Sequence, residues 1–178
     1  MNIELESMAI EMPVVESHPN REAFRGVLTL VDVASDRPPS GARGHRVVLT
    51  RAAAERALPS LLGMGLDYAP SLDRHDTRRK VGVITRAEII GRKVELGGYL
   101  YAKDFPEIVR EIRAAAAPGR VFAGTRSPRA LGMSYEIADA RVADLRSKIW
   151  TLTHVMFTGA AILRRDKAAY SETSIELE

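Results

Sequence analysis

Two alternating apolar runs, residues 81–90 and 93–102, meet at Gly91-Arg92. Alternation with a period of two marks a strand with one buried face, and a two-residue break containing glycine marks a hairpin. A central antiparallel hairpin commits the chain to a sheet. Further strands are expected at residues 24–33, at Val47-Val48-Leu49 and at residues 131–138. In the last of these, Met133, Tyr135 and Ile137 share one face and Ser134 and Glu136 the other. Residues 148–163 form the most apolar stretch, interrupted at Gly159, and read as one long or two short buried strands. Most neighbouring strands lie too close in sequence for a helical crossover, so antiparallel pairing should dominate.

Two helices interrupt the strands. Thr50 is placed to cap an Ala-rich helix over residues 51–62, and Asp104 to cap a second one reaching about residue 117. Pro106 is tolerated in the first turn of the second helix, and Phe105, Ile108, Val109 and Ile112 give it an apolar face. Between these elements lie a turn at residues 16–20 after an apolar run at 7–15, and a Pro-Pro loop at 36–41. Residues 63–77 read as an irregular polar stretch, 118–129 as a Gly/Pro/Arg loop, 141–145 as a short element and 166–178 as a loose C-terminal tail. The sum is a mainly β chain with peripheral helices, an α+β domain of about seven strands spanning residues 1–178.

Composition narrows the chemistry. With no cysteine, disulfides, thiolate catalysis and Cys-based zinc sites are excluded. No apolar run reaches the roughly 20 residues of a membrane-spanning helix. The start, Met1-Asn2-Ile3-Glu4-Leu5-Glu6, lacks the basic opening of a secretory signal, so an intracellular soluble protein is expected. The net charge of +3 is mild, and the arginines are scattered with few aromatics among them, so a nucleic-acid partner is not expected. The histidines show no His-x-x-x-His or His-Glu-x-x-His spacing, and Gly63-Met64-Gly65 is not a phosphate loop; neither metal nor cofactor is expected.

Three short pieces belong together: Asp73-Arg74-His75-Asp76, Leu131-Gly132-Met133-Ser134-Tyr135, and Trp150-Thr151-Leu152-Thr153-His154-Val155. A serine, a histidine to take its proton and a group to orient that histidine are the parts of a serine hydrolase. Each residue alone has an ordinary reading: Ser134 as a strand-face serine, His75 as a loop histidine bonded to a neighbouring aspartate. His154 sits among apolar residues and, if buried, needs a partner for a ring nitrogen. Bonded to His75, it would hold the tautomer whose free nitrogen faces Ser134. The chain order His, Ser, His differs from those of the chymotrypsin, subtilisin and α/β-hydrolase enzymes. Arg164-Arg165, closing the apolar run, could offer backbone N–H groups or a held water to an oxyanion.

Together these segments resemble the prohead (capsid-maturation) serine proteases of tailed bacteriophages, related in fold to the herpesvirus assemblins. The resemblance is carried by Leu72-Asp73-Arg74-His75-Asp76 followed by Lys80-Val81-Gly82-Val83-Ile84, by Gly97-Gly98-Tyr99-Leu100, by Leu131 to Ile137, and by Leu152 to Ala161. It covers roughly residues 25–169. It implies Ser134 as nucleophile, His75 as general base and His154 as third member, with Glu136 and Asp76 as alternative carboxylates. Many phage members carry a glutamate where this chain has His154; the assemblins carry a histidine. In assemblins an arginine pair after the third member helps form the oxyanion site, and Arg164 and Arg165 are similarly placed.

The resemblance implies a closed, mostly antiparallel assemblin-like barrel of about seven strands. It implies a serine endopeptidase with no cofactor, cleaving scaffold and capsid precursors, and itself, inside the assembling procapsid in the bacterial cytoplasm or from a prophage. The major capsid protein and the scaffold precursor would be its partners, with a homodimer or higher homo-oligomer as the active form. Because fold does not fix function, a non-enzymatic capsid-assembly or scaffold-like module on the same fold is the alternative.

Overall fold

A computed structural model describes residues 18–116 and 130–178 of the chain. The expected apolar run at 7–15 and the loop at 118–129 lie outside the described residues. Among the described residues eight strands form a single sheet: β1 (Arg21–Leu30), β2 (Arg46–Leu49), β3 (Gly65–Tyr68), β4 (Lys80–Ile90), β5 (Lys93–Tyr101), β6 (Leu131–Val142), β7 (Ile149–Arg164) and β8 (Ser174–Leu177). The same residues form two helices outside it, α1 (Arg51–Ala57) and α2 (Pro106–Ala116), and α1 runs into a 3-10 turn at Leu58–Leu61.

The central hairpin forms as its alternation demands, with β4 and β5 antiparallel around a turn whose Gly91 takes a φ of 58°. That left-handed conformation suits a residue without Cβ. The Thr50 side chain accepts from the Ala53 N–H and caps α1, which buries Ala53, Ala54 and Ala57. Ile108, Val109 and Ile112 are the buried face of α2. The Asp104 carboxylate accepts from the Asn20 side chain. One main core, built around Phe24, Leu28, Leu49, Leu66, Ile84, Leu96, Leu100 and Phe157, joins the sheet to both helices.

The strand order is β2-β7-β3-β4-β5-β1-β8, with β6 paired to β7 off this path. The apolar run at 148–163 therefore forms one continuous strand, and it organises the sheet. Along one edge β7 receives β2 and β3, both parallel; along the other it pairs antiparallel with β6. The two parallel pairings depart from the expected antiparallel pattern. They arise because α1 and its 3-10 turn carry the chain from the end of β2 to the start of β3 in the same direction.

Two expectations are corrected. The sheet is an open half-barrel, not a closed barrel. Among the described residues the β1 end meets β2 through two isolated bridges, Val31 with Leu49 and Ala34 with Val48. Nor are residues 166–178 a loose tail. Ala168 and Tyr170 are buried, and β8 pairs antiparallel with β1 from Phe24–Leu177 to Val27–Ser174. The Tyr170 hydroxyl lies 3.1 Å from the Val33 carbonyl and 3.2 Å from the Val47 carbonyl. These contacts outweigh the polar composition on which the tail expectation rested.

Candidate active site

Residues paired across a ladder share a face of the sheet, so the register itself builds a row. Ser134 on β6 stands opposite Ala161 on β7. Ala161 stands beside Asp67 on β3, and Asp67 opposite Lys80 on β4. One pleat further along the same face of β6, Glu136 stands opposite Gly159. The floor of the row is thus two small residues, Gly159 and Ala161. Serine and polar side chains stand to either side of it.

His75 comes from the loop between β3 and β4. That loop is fastened to the sheet by the Asp76 N–H, which donates to Asp67 Oδ1 at 2.9 Å, and by the Arg164 N–H, which donates to the Leu72 carbonyl at 2.8 Å. The imidazole Nδ1 lies 3.1 Å from Glu136 Oε1 and 3.6 Å from Asp67 Oδ2. A carboxylate can only accept, so Nδ1 carries the proton of that short contact and Nε2 is left to receive one. Lys80 Nζ lies 3.6 Å from both Asp67 Oδ2 and Glu136 Oε2. Asp67 has a fully buried side chain, whereas that of His75 is 25% exposed.

The electrostatics follow from this packing. Burial would push the His75 pKa down, but the nearby Asp67 carboxylate, and then the charge and hydrogen bond of Glu136, outweigh it and raise the pKa above the ordinary imidazole value. Burial would likewise push the Asp67 carboxyl up, but its contact with His75 and the Asp76 N–H hold it below the usual carboxylate range. Asp67, His75 and Glu136 also place donor atoms within 4.8 Å of one another, a spacing that could hold a metal ion. The Lys80 ammonium already supplies positive charge to both carboxylates there.

Ser134 is partly exposed on this face, and among the described residues its hydroxyl makes no hydrogen bond to His75. His154 is not brought to the site. It is half-buried on β7 opposite Arg141, seven residues along the strand from Ala161, the partner of Ser134. At the strand rise that is roughly 23 Å. The expectation that His154 orients His75 thus meets a register that carries it down the sheet, and Glu136 contacts His75 instead. Arg164 and Arg165 stand at the other end of the β6–β7 ladder. The Arg164 N–H is spent on Leu72, as above, and the Arg165 N–H on the Ala130 carbonyl at 2.8 Å, so neither is free for an oxyanion. Arg164 also pairs with Asp166 at 3.1 Å.

Sequence reasoning held Glu136 only as an alternative and missed Asp67 and Lys80. Asp67 lies on β3, a four-residue strand inside the stretch read as irregular. The only signal was the short Leu66-Asp67-Tyr68 alternation, too brief to stand out.

No family model matches the chain, and no curated protein matches it. Among solved structures it is similar to KSHV protease in complex with a hexapeptide phosphonate inhibitor, at 12% identity and a TM-score of 0.46. The alignment covers 80% of this chain and 59% of that one, so the chain spans less than two thirds of its neighbour's length. At that level the likeness is a loose one of strand arrangement, and no residue role is carried across from it.

Proposed function

We propose that this protein is a serine endopeptidase in which Ser134 is the nucleophile, His75 the general base and Glu136 the group that orients His75. The observation that carries the reading is the contact of Glu136 with His75 Nδ1 from a position two residues beyond Ser134 on the same strand face. On this reading nucleophile and orienting carboxylate share one strand, which supports a preorganised pair. His75 Nε2 takes the Ser134 proton as the hydroxyl attacks a peptide carbonyl, and returns it to the leaving amine. Glu136 holds the tautomer and stabilises the imidazolium, the part that aspartate plays in other triads. The motif resemblance supports the finer reading: cleavage of scaffold and capsid precursors, and of the protease itself, in the assembling procapsid of a tailed phage, by a homo-oligomer in the bacterial cytoplasm.

Treating the purified protein with a serine-directed fluorophosphonate tests this reading. Label mapped to Ser134, and lost in His75→Ala, is the expected result. Label elsewhere, or label on Ser134 that persists in His75→Ala, would overturn it. One observation favours the second reading, a non-enzymatic assembly module: Ser134 is not hydrogen-bonded to His75. That reading expects stoichiometric binding to capsid protein, undisturbed by Ser134→Ala.

A further inference from the structure

We propose that Lys80 sets the protonation of His75. Its ammonium, held against Asp67 and Glu136, offsets the two carboxylates so that the imidazole gives up its proton more readily than it would beside them alone. The inference rests on the reading of His75 as the group that takes the Ser134 proton.

Two carboxylates on one imidazole nitrogen both stabilise the imidazolium, and a protonated ring cannot act as a base. A site with Asp67 and Glu136 alone would keep His75 charged to higher pH than one in which a cation shares those carboxylates. The geometry shows what counters them. Among the described residues Asp67 Oδ2 is buried with no hydrogen-bond partner, and it lies at the same 3.6 Å from His75 Nδ1 and from Lys80 Nζ. Glu136 is split in the same way, one oxygen towards His75 and the other towards Lys80. Each carboxylate is therefore shared between imidazole and ammonium, and whatever charge Lys80 takes up is withdrawn from His75.

The position of the ammonium is built in. Lys80 stands opposite Asp67 on the β3–β4 ladder, and its stem lies over Gly65, where an added Cβ would come within 2.6 Å of Lys80 Cδ. Among the described residues, the charged groups that meet His75 are Asp67 from β3 and Glu136 from β6, with Lys80 from β4 reaching it through those two, while Asp73, Arg74 and Asp76 share its loop. Among them Lys80 is the one cation in contact with both carboxylates that hold the ring. It is a positioning residue, acting on His75 without touching a substrate.

The test is an NMR titration of the His75 ring in wild type, Lys80→Met, Lys80→Gln and Lys80→Arg, beside fluorophosphonate labelling across the same pH range. The amide spectrum of each variant reports whether it folds, and Lys80→Gln, which keeps a polar end, covers the case in which Lys80→Met does not. Removing the ammonium should raise the His75 midpoint by about one pH unit. Labelling of Ser134 near neutral pH should fall about tenfold and recover at higher pH, and Lys80→Arg should restore both. An unchanged His75 midpoint in a folded variant would overturn the proposal, whatever the labelling shows. A midpoint that rises in a protein whose Ser134 never labels would uphold the role of Lys80 and defeat the hydrolase reading instead.

Discussion

Gly159 stands opposite Glu136 on the β6–β7 ladder, and the space left by its missing side chain is where the Glu136 carboxylate lies. A Cβ added there would come within 2.7 Å of Glu136 Oε2, 3.2 Å of the Gly65 carbonyl and 3.4 Å of Lys80 Nζ. Gly159→Ala should therefore displace the carboxylate from His75. The Gly65 carbonyl is backbone and yields little, so the overpacking cost should be about 1–3 kcal/mol. Chemical denaturation reads the stability, and the fluorophosphonate labelling rate reads the site. Full-rate labelling in Gly159→Ala would mean that Glu136 does not need its present place.

Glu136→Gln keeps the size of the side chain and removes its charge. If Glu136 orients His75, labelling or peptide turnover should drop by about 10²–10⁴, the range seen when a triad carboxylate is neutralised or a general base is disabled. His154→Ala, far along β7, should leave the rate unchanged. The reverse pattern, a silent Glu136→Gln and an inactive His154→Ala, would return the orienting role to the second histidine.

Activity and stability should depend on pH in opposite senses. The His75 pKa is raised by its carboxylates, so activity that needs the neutral ring should climb through a midpoint above the ordinary imidazole value. The same pairing stabilises the fold fully below the unfolded imidazole value of 6.5, and that contribution is lost as pH rises through the folded pKa. Asp67, held low, contributes above its unfolded value of 3.8 and is lost as pH falls through its folded pKa. Denaturant midpoints and labelling rates compared over about pH 5–9 should therefore diverge as pH rises. A stability that rises in step with activity would contradict the His75–carboxylate pairing.

Two tyrosines make a matched pair of opposite sign. Tyr170 is buried with its pKa pushed up to about 12, chiefly by desolvation, and its hydroxyl reaches the Val33 and Val47 carbonyls. Tyr170→Phe should cost about 0.5–1.5 kcal/mol. Tyr135, beside Ser134, packs edge-on against Phe157 with ring centroids 5.8 Å apart, and its buried hydroxyl has no partner among the described residues. Burial pushes the pKa of this second tyrosine strongly upward. Tyr135→Phe removes an unsatisfied group and should leave stability equal or higher. Equilibrium denaturation of the two variants checks both signs.

The strands that hold the site were largely legible because they alternate. The β4–β5 hairpin falls within a residue of its expected ends, and the face of β6 that carries Ser134 and Glu136 follows from its period of two. The failures share a cause. Asp67 and Lys80 meet across the neighbouring β3–β4 ladder, but Glu136 joins them only through β7, distant in sequence from β3, and no local pattern encodes which residue of β7 stands opposite Ser134. His154 looked well placed in one dimension, yet the antiparallel ladder sets it beside Arg141. Closure of the barrel was equally a non-local matter, as was the burial of Tyr170.

The parallel docking of β3 on β7 also has a consequence for the order of events in synthesis. Asp67 and His75 emerge from the ribosome long before residues 160–162, which form the outer partner of β3. Until that partner and Glu136 arrive, the imidazole loop has only the β3–β4 ladder beneath it and no carboxylate from β6 beside it. Contacts of such long sequence separation form late and slowly. The histidine therefore gains its full set of neighbours only when nearly the whole described chain is in place: a nascent fragment ending before β6 would carry His75 without Glu136, and one ending before β7 would carry Glu136 on a strand with no β7 to pair with.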